Sequence, residues 1–336
     1  MGSEAREESM NRKEALEHFK EHYLEAKSTE KMEQVTSYYE IHKEELKNNF
    51  IDAFRKICIK IKEMQNKGVK GNIGYITYSF KRLDIAERKY VYIIEAFNEE
   101  WFYDEVECME EYDVSWAFGF LDEFEQELQE KSKLYIDKIT KADMEKFRLE
   151  EIGIYHDEIV KLSRYAMPEA AKLEDYRDIL KHEVIEVRVG EYKGISEVVY
   201  KEDTRVKDSD QVKEWLEEKK EGEYDYEILK DLNLSEGDYE GISLKYGDLS
   251  GSNLSKCILK KCSFIGTKFE NTNLANADLS QSSLYDGEFK NACMINTILH
   301  RAKGGNVNFQ NTNMENVNMS EADMAFLKIK NANLKN

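Results

Sequence analysis

The sequence predicts an α+β chain in two dissimilar parts, a mostly helical acidic N-terminal region and a C-terminal solenoid of very short β segments. Three observations carry this. From Leu234 to Leu334 every fifth position but Gly304 is apolar, without a slip in register. Over most of residues 11–182 the apolar residues instead fall at helical spacing. Charge divides along the same line. Residues 228–336 hold 12 basic and 12 acidic side chains, so the net charge of −19 falls wholly on residues 1–227, with 37 basic against 56 acidic.

Residues 1–10 (MGSEAREESM) are polar, lack the apolar stretch of a secretory signal, and read as a disordered leader. Leu16, Phe19, Tyr23 and Leu24 predict a helix over 11–27. Ser28 and Thr29, both good N-caps, predict a break and a second helix to about Asn66. Its buried stripe would include Met32, Val35, Tyr39, Leu46, Phe50, Phe54, Ile57 and Ile61. NKGVKGNIG (66–74) reads as a loop, 73–86 as a short helix, and YVYIIEAF (90–97) as a strand. A helix is expected from Ser115 to about Ile139, and another from Ala142 to Ala166 after a Thr140 cap. Pro168, the only proline, marks a break before a short helix ending near Lys181. Residues 183–200 alternate like a two-strand unit, and a helix over about 210–220 is capped by Ser209. The expected domains are therefore 11–182, mainly α-helical; 183–228, a small α/β segment capping the solenoid; and 229–336, the solenoid itself.

In that last segment, 20 of the 21 positions in the fivefold series are apolar, the exception being Gly304. A second series, two residues earlier, runs from Leu232 through Cys257, Cys262, Thr267, Thr272 and Ala277 to Ala332 and carries no charge. Residues two apart share a face only in extended chain. Five is odd, however, so a straight strand would send successive members of the series to opposite faces. A helix would smear them around its surface, at about 140° per step. Only a chain that turns a corner every five residues keeps both series inside. Asn271, Asn276, Asn291, Asn296, Asn306, Asn311, Asn316 and Asn331 stand two residues after the central position, where a left-handed corner favours asparagine.

LANADLSQSSL and NTNMENVNMSEADM resemble the A(D/N)LXX pattern of pentapeptide-repeat proteins. The resemblance covers about a third of the chain and implies a right-handed quadrilateral parallel β-helix with four pentads per coil. The 21 pentads would then make about five coils, about 25 Å long at ~4.8 Å per coil. Leu249, Phe269, Phe289, Phe309 and Ile329 would stack in one interior column, with Asn271, Asn291, Asn311 and Asn331 forming a ladder outside it. At Gly304, in HRAKGGN, an underfilled corner relieved by Met324 is weighed against a loop contact for a partner. The last core position, Leu334, is followed by no capping helix, and Phe326 should point outward. End-to-end homodimerisation, a habit of that family, stands against a monomer with a frayed end.

Candidate chemistry is sparse. His18 and His22 share a helix face near Glu14, Glu21 and Glu25, but no third metal ligand is identifiable, and a solvated face is expected. His156, with Asp157 and Glu158, reads the same way. EEWFYDEVECMEEYDVSW (99–116) lacks calcium-loop grammar and reads as an acidic loop covering a core through Trp101, Phe102 and Trp116. Cys58 is expected in the core, and the Cys257/Cys262 spacing is the repeat period rather than a metal motif. Five cysteines without framework spacing suit a reducing cytoplasm. No run reaches ~18 apolar residues, so no membrane helix is expected. The acidic balance disfavours direct nucleic-acid contact.

The expectation is a non-enzymatic interaction or scaffold protein with no cofactor, no metal, and a protein partner of unknown identity. Its candidate surface is His300, Arg301, Gly304, Gly305, Phe326 and Leu327. Two alternatives stand beside it. Some members of the resembled family mimic B-DNA and bind DNA gyrase, but those rods are acidic and this one is neutral. An uncharacterised enzyme within the helical domain is the other.

Overall fold

A computed structural model describes residues 10–335. The expected leader lies outside the described residues except for Met10, which packs against the core. The chain divides into two compact units, Met1–Tyr200 and Lys201–Asn336.

The first unit is mostly helical, and its helices pack on a five-stranded sheet. Helix α1 (Arg12–Phe19) passes through a π-helical turn at Lys20–Leu24 into α2 (Glu25–Asn66), 42 residues long. The break expected at Ser28-Thr29 is absent. Ser28 donates to Glu151 at 2.6 Å and Thr29 to the Glu25 carbonyl at 3.0 Å, so neither hydroxyl is left to cap a new start. β1 (Ile73–Phe80) replaces the helix expected over 73–86, and only α3 (Arg82–Ala86) remains helical there. β2 (Val91–Phe97) and β3 (Met109–Asp113) follow, then α4 (Ser115–Ser132) and α5 (Lys141–Ala170). Thr140 caps α5 in a reciprocal box with Asp143. Pro168 lies inside α5 and does not stop it, because Met167 and Ala170 beside it are held in the core. The short α6 (Glu174–Arg177) leads to β4 (Lys181–Glu191) and β5 (Ser196–Asp203).

The strand order is β3-β2-β1-β4-β5. β1 pairs antiparallel with β2 (Thr77 opposite Glu95) and parallel with β4 (Thr77 opposite Arg188). The expected two-strand cap over 183–200 is thus part of this sheet, and β4 sits beside its central strand. One sheet face, with Ile76, Tyr78, Tyr92, Ile94, Val187 and Val189, joins the helices in one core. Phe50 of α2 stacks on Tyr78 with ring centroids 4.8 Å apart. Of the expected α2 stripe, all but Met32 are buried; Met32 is 43% exposed. α2 and α5 lie side by side in the same direction, with Thr36 donating to Glu158 and Lys47 pairing with Glu169.

The second unit opens with α7 (Ser209–Glu217). Asp208, not Ser209, caps this helix. Ser209 instead accepts from the Asn233 amide at 3.0 Å, and Val212 and Leu216 join the solenoid's core, so α7 closes the first coil. From Ile228 onward each residue before a central position bridges in parallel to the residue 20 further on. Four five-residue sides make one turn. At Lys303–Gly305 and Asp323–Ala325 this pairing extends to two short strands, β6 and β7.

Side chains complete each corner. The central residues from Leu229 to Phe309 fill the interior, and Phe269, Phe289 and Phe309 stack at 4.6 and 5.1 Å. Residues two positions earlier donate across coils. Ser252, Cys257, Cys262, Thr267, Thr272, Ser282, Thr297 and Thr312 each reach the carbonyl of the central residue 23 positions earlier. The carbonyls of Tyr239, Leu244, Leu249, Leu274 and Phe289 also accept the backbone N–H three residues on, so at these corners the side chain adds a second bond. The expected asparagines take φ near +56° to +61°.

Candidate interaction surface

The outside of the solenoid has four sides, each carrying columns of side chains 20 residues apart, and most of these satisfy one another. Asn276, Asn296 and Asn316 form an amide ladder at 3.2 Å per step, and Asn291, Asn311 and Asn331 form another. Asn233, Asn253 and Asn273 form a third. Lys256–Glu236, Lys261–Glu240 and Arg301–Glu321 pair across coils at 2.7–2.8 Å.

One side differs. Tyr226 stacks on Tyr246 with centroids 5.0 Å apart. Gly266, at φ +65°, follows in the same column, where a Cβ would come within 2.5 Å of the Tyr246 ring. Beside this column Tyr285 is 43% exposed, lying against Gly305, whose added Cβ would be 3.2 Å from the ring. Gly305 pairs with Ala325, and the next residue, Phe326, is 88% exposed at φ +54°. Most other corners of this kind hold Asn, Gly or a charged residue. Phe326 is held outward by its backbone, and no apolar neighbour among the described residues covers it.

The six expected surface residues do not form one patch. Gly305 and Phe326 come together with Tyr285 and Ala325, two residues the sequence reading did not single out. His300 and Arg301 stand on the adjacent side, where they bond Ser320 and Glu321. Gly304 is buried and offers no surface. A Cβ there would meet Val307 Cγ2 at 2.8 Å, so Val307 rather than Met324 fills the space a core side chain would take. Leu327 is half-buried and packs against the solenoid core.

In the first unit, the acidic aromatic stretch is held from beneath. Lys70, fully buried, pairs with Asp104 at 2.7 Å, and Asp104 also accepts the amides of Asn98 and Val106. Burial pushes the Asp104 carboxyl up, and these bonds outweigh it and hold the carboxyl below its usual range. Trp101 stacks on Tyr75, and Phe102 packs edge-on against Phe97. Trp101 and Phe102 therefore pack on the sheet, but the stretch is not the loop expected over 99–116: Met109–Asp113 is the edge strand β3, and Ser115 opens α4.

His18 and His22 stack at 3.8 Å, and His18 Nδ1 meets the Tyr135 hydroxyl at 2.7 Å. His156 is not a solvated residue: it meets the Tyr92 hydroxyl at 2.8 Å, and burial lowers its pKa to about 4. Cys58 is buried in the core. Burial pushes Cys257 up to about 11 and Cys262 up to about 12, which leaves inert thiols bonded to carbonyls. Among the described residues no three His, Cys, Asp or Glu side chains are grouped to hold a metal ion, and no helix is long and apolar enough to cross a membrane.

The family model for pentapeptide repeats matches residues 262–301 and 305–336, in eight copies. The gap between the two matches falls on Ala302–Gly304, where the corner departs from pattern. Solved structures similar to this chain include a pentapeptide repeat protein, Rfr23, from the cyanobacterium Cyanothece 51142. It is 20% identical over 32% of this chain and 87% of its own, with a TM-score of 0.31. Another is a pentapeptide repeat protein of the Arabidopsis thaliana thylakoid lumen, 23% identical over 32% of this chain and 63% of its own, TM-score 0.24. A third is QnrB1, a plasmid-mediated fluoroquinolone resistance protein, 14% identical over 34% of this chain and 78% of its own, TM-score 0.15. No curated protein matches the chain. Residues 262–301 and 305–336 are thus pentapeptide repeats by the family model, and the bridges that return every fourth pentad continue the same pattern back to Ile228.

Proposed function

We propose that the protein is a non-enzymatic interaction or scaffold protein whose solenoid, a right-handed β-helix of about five coils, presents a rigid side to a protein partner. One observation supports this above the rest. Tyr285, Ala325 and Phe326 form an exposed apolar patch on a backbone paired to the coils beside it, while the neighbouring columns satisfy their own polar groups. Aromatic side chains fixed in this way bind at little conformational cost. A second copy of the chain is the competing occupant.

Quantitative affinity capture from the native lysate with the full chain and its Phe326→Asp variant tests the reading. A protein partner retained by the parent and lost by the variant supports it. Equal capture by both removes the patch from the interface. Sedimentation of the purified chain separates out self-association. A dimer that Phe326→Asp converts to monomer assigns the patch to a second copy.

A further inference from the structure

Along the solenoid, the side that carries Tyr285 and Phe326 alternates between aromatic and small residues. Tyr246, Tyr285 and Phe326 stand two turns apart to within one residue, because the bridges fix each turn at 20 residues. Gly266 lies one turn after Tyr246 and Gly305 one turn after Tyr285, where a Cβ would come within 2.5 and 3.2 Å of the ring before it. The three rings are ridges, and after each of the first two the next turn carries no side chain in that ridge's own column. Half-buried Ile265 gives the first gap an apolar floor.

At ~4.8 Å per turn the ridges recur every ~9.6 Å, and few chain conformations keep that step. An extended strand returns to the same face every ~6.8 Å. Two turns of α-helix rise ~10.8 Å, so by the third ridge a helix is ~2.4 Å out of register. A polyproline II helix repeats every three residues, at ~9.3 Å, and drifts by only ~0.6 Å over the same distance. Charge points the same way. From Ser243 to Phe326 the outward positions of this side carry Lys245, Asp286, Lys303 and Asp323, two of each sign. Asp286 accepts from Asn306 at 2.8 Å, and Lys303 stands opposite Asp323 in the ladder. A surface balanced in this way matches an uncharged segment and offers an acidic or basic one no net attraction.

We propose that this side binds a proline-rich, uncharged segment of a partner protein in the polyproline II conformation. The segment runs along the solenoid axis, and every third residue enters a gap between aromatic ridges. Such a segment is stiff before it binds, so little ordering entropy is lost on docking to aromatic side chains. The inference rests on the interaction-protein reading above and names the chemistry of its partner.

A dye-labelled ten-residue oligoproline is the probe, and a ten-residue Gly-Ser peptide is the control. Both are titrated into the full chain, with anisotropy and amide resonances as readouts. Oligoproline should bind saturably below about 1 mM, with shifts confined to this side, and the control should not bind. Tyr285→Ala and Phe326→Ala, both at exposed rings, should each weaken binding several-fold. Tyr285→Gly combined with Gly305→Tyr keeps the number of rings but moves one ridge by a turn, and should weaken binding as much as Tyr285→Ala. The proposal is overturned by any of three results: no saturable binding of oligoproline, equal binding of the Gly-Ser peptide, or full affinity in the Tyr285→Gly/Gly305→Tyr protein. Binding of cellohexaose without binding of oligoproline would assign the side to a glycan and overturn it equally, as would a Phe326-dependent dimer that binds no oligoproline. The capture experiment reads the broader proposal separately. A partner lost with Phe326→Asp while oligoproline fails to bind rejects the proline-rich class and keeps the interaction reading.

Discussion

At position 304 the fivefold series loses its side chain, and Val307, three residues later, occupies the space. Gly304→Ala should therefore destabilise the solenoid by about 1–2 kcal/mol through overpacking against a β-branched neighbour. Gly304→Ala combined with Val307→Ala should recover much of that loss, and denaturant melts of the single and double variants measure the coupling. At Glu151 the sign runs the other way. Burial is the leading cause of its raised pKa, opposed by the Ser28 hydrogen bond and helped by Glu150. A carboxyl raised in the folded state opposes folding at neutral pH and stops doing so as pH falls through that raised value. Glu151→Gln, which keeps an acceptor for Ser28, should raise the melting temperature near pH 7 and lose that advantage in acid. Lys70 has no such freedom. Lys70→Met strands Asp104 beneath the 99–108 loop and should cost about 3–5 kcal/mol, with early amide exchange at Asn98 and Val106.

Among the elements, the stacked phenylalanines concentrate the solenoid's packing. Phe289, fully buried between Phe269 and Phe309, should cost about 3–5 kcal/mol when cut to alanine. The same cut at Ile329, 48% exposed, should cost far less, and chemical denaturation compares the two. This stack was legible beforehand only through the resemblance, which implies four pentads per coil; the period of five with both columns charge-free requires a corner every five residues but does not set how many corners make a turn. The hydroxyl and thiol ladder to the carbonyls was not legible as a ladder, since smallness and lack of charge do not reveal a bond partner on the preceding coil. The first unit was harder to read. IGYITYSF at 73–80 carries β-branched and aromatic residues, yet only its pairing with both β2 and β4 decides for strand over helix. Likewise Ser28 and Thr29 are good caps in isolation, and Glu151 and the Glu25 carbonyl claim their hydroxyls. In the candidate surface, Phe326 was readable from its register, whereas Tyr285 and Ala325 needed the alignment of adjacent coils.

Across the whole chain, net acidity and acid sensitivity have different origins. With all the net charge on residues 1–227 and none on the solenoid, no mobility shift of a short DNA duplex is expected at micromolar protein and about 0.15 M salt. Acid should act through particular carboxylates. In the Lys201–Asn336 unit, Asp203 is pushed up by burial but held well below the usual range by Arg205 and Lys207. A carboxyl lowered in the folded state stabilises above its unfolded pKa of about 3.9 and ceases to as pH falls through the folded value. Asp203→Asn should thus lower the melting temperature at pH 7, with the difference shrinking below about pH 4.

Bridges that return at every fourth pentad give the solenoid an arithmetic. Removing one pentad keeps every apolar residue inside, yet it rotates all later residues by a quarter turn relative to the coils before them. After such a deletion Phe289 would no longer stand over Phe269, and Phe326 would face a different direction from Tyr246. Removing four pentads together leaves every column in line and simply takes out one storey. Length changes by whole storeys should therefore be tolerated where single pentads are not, and the direction in which Phe326 points is set by counting residues as much as by packing.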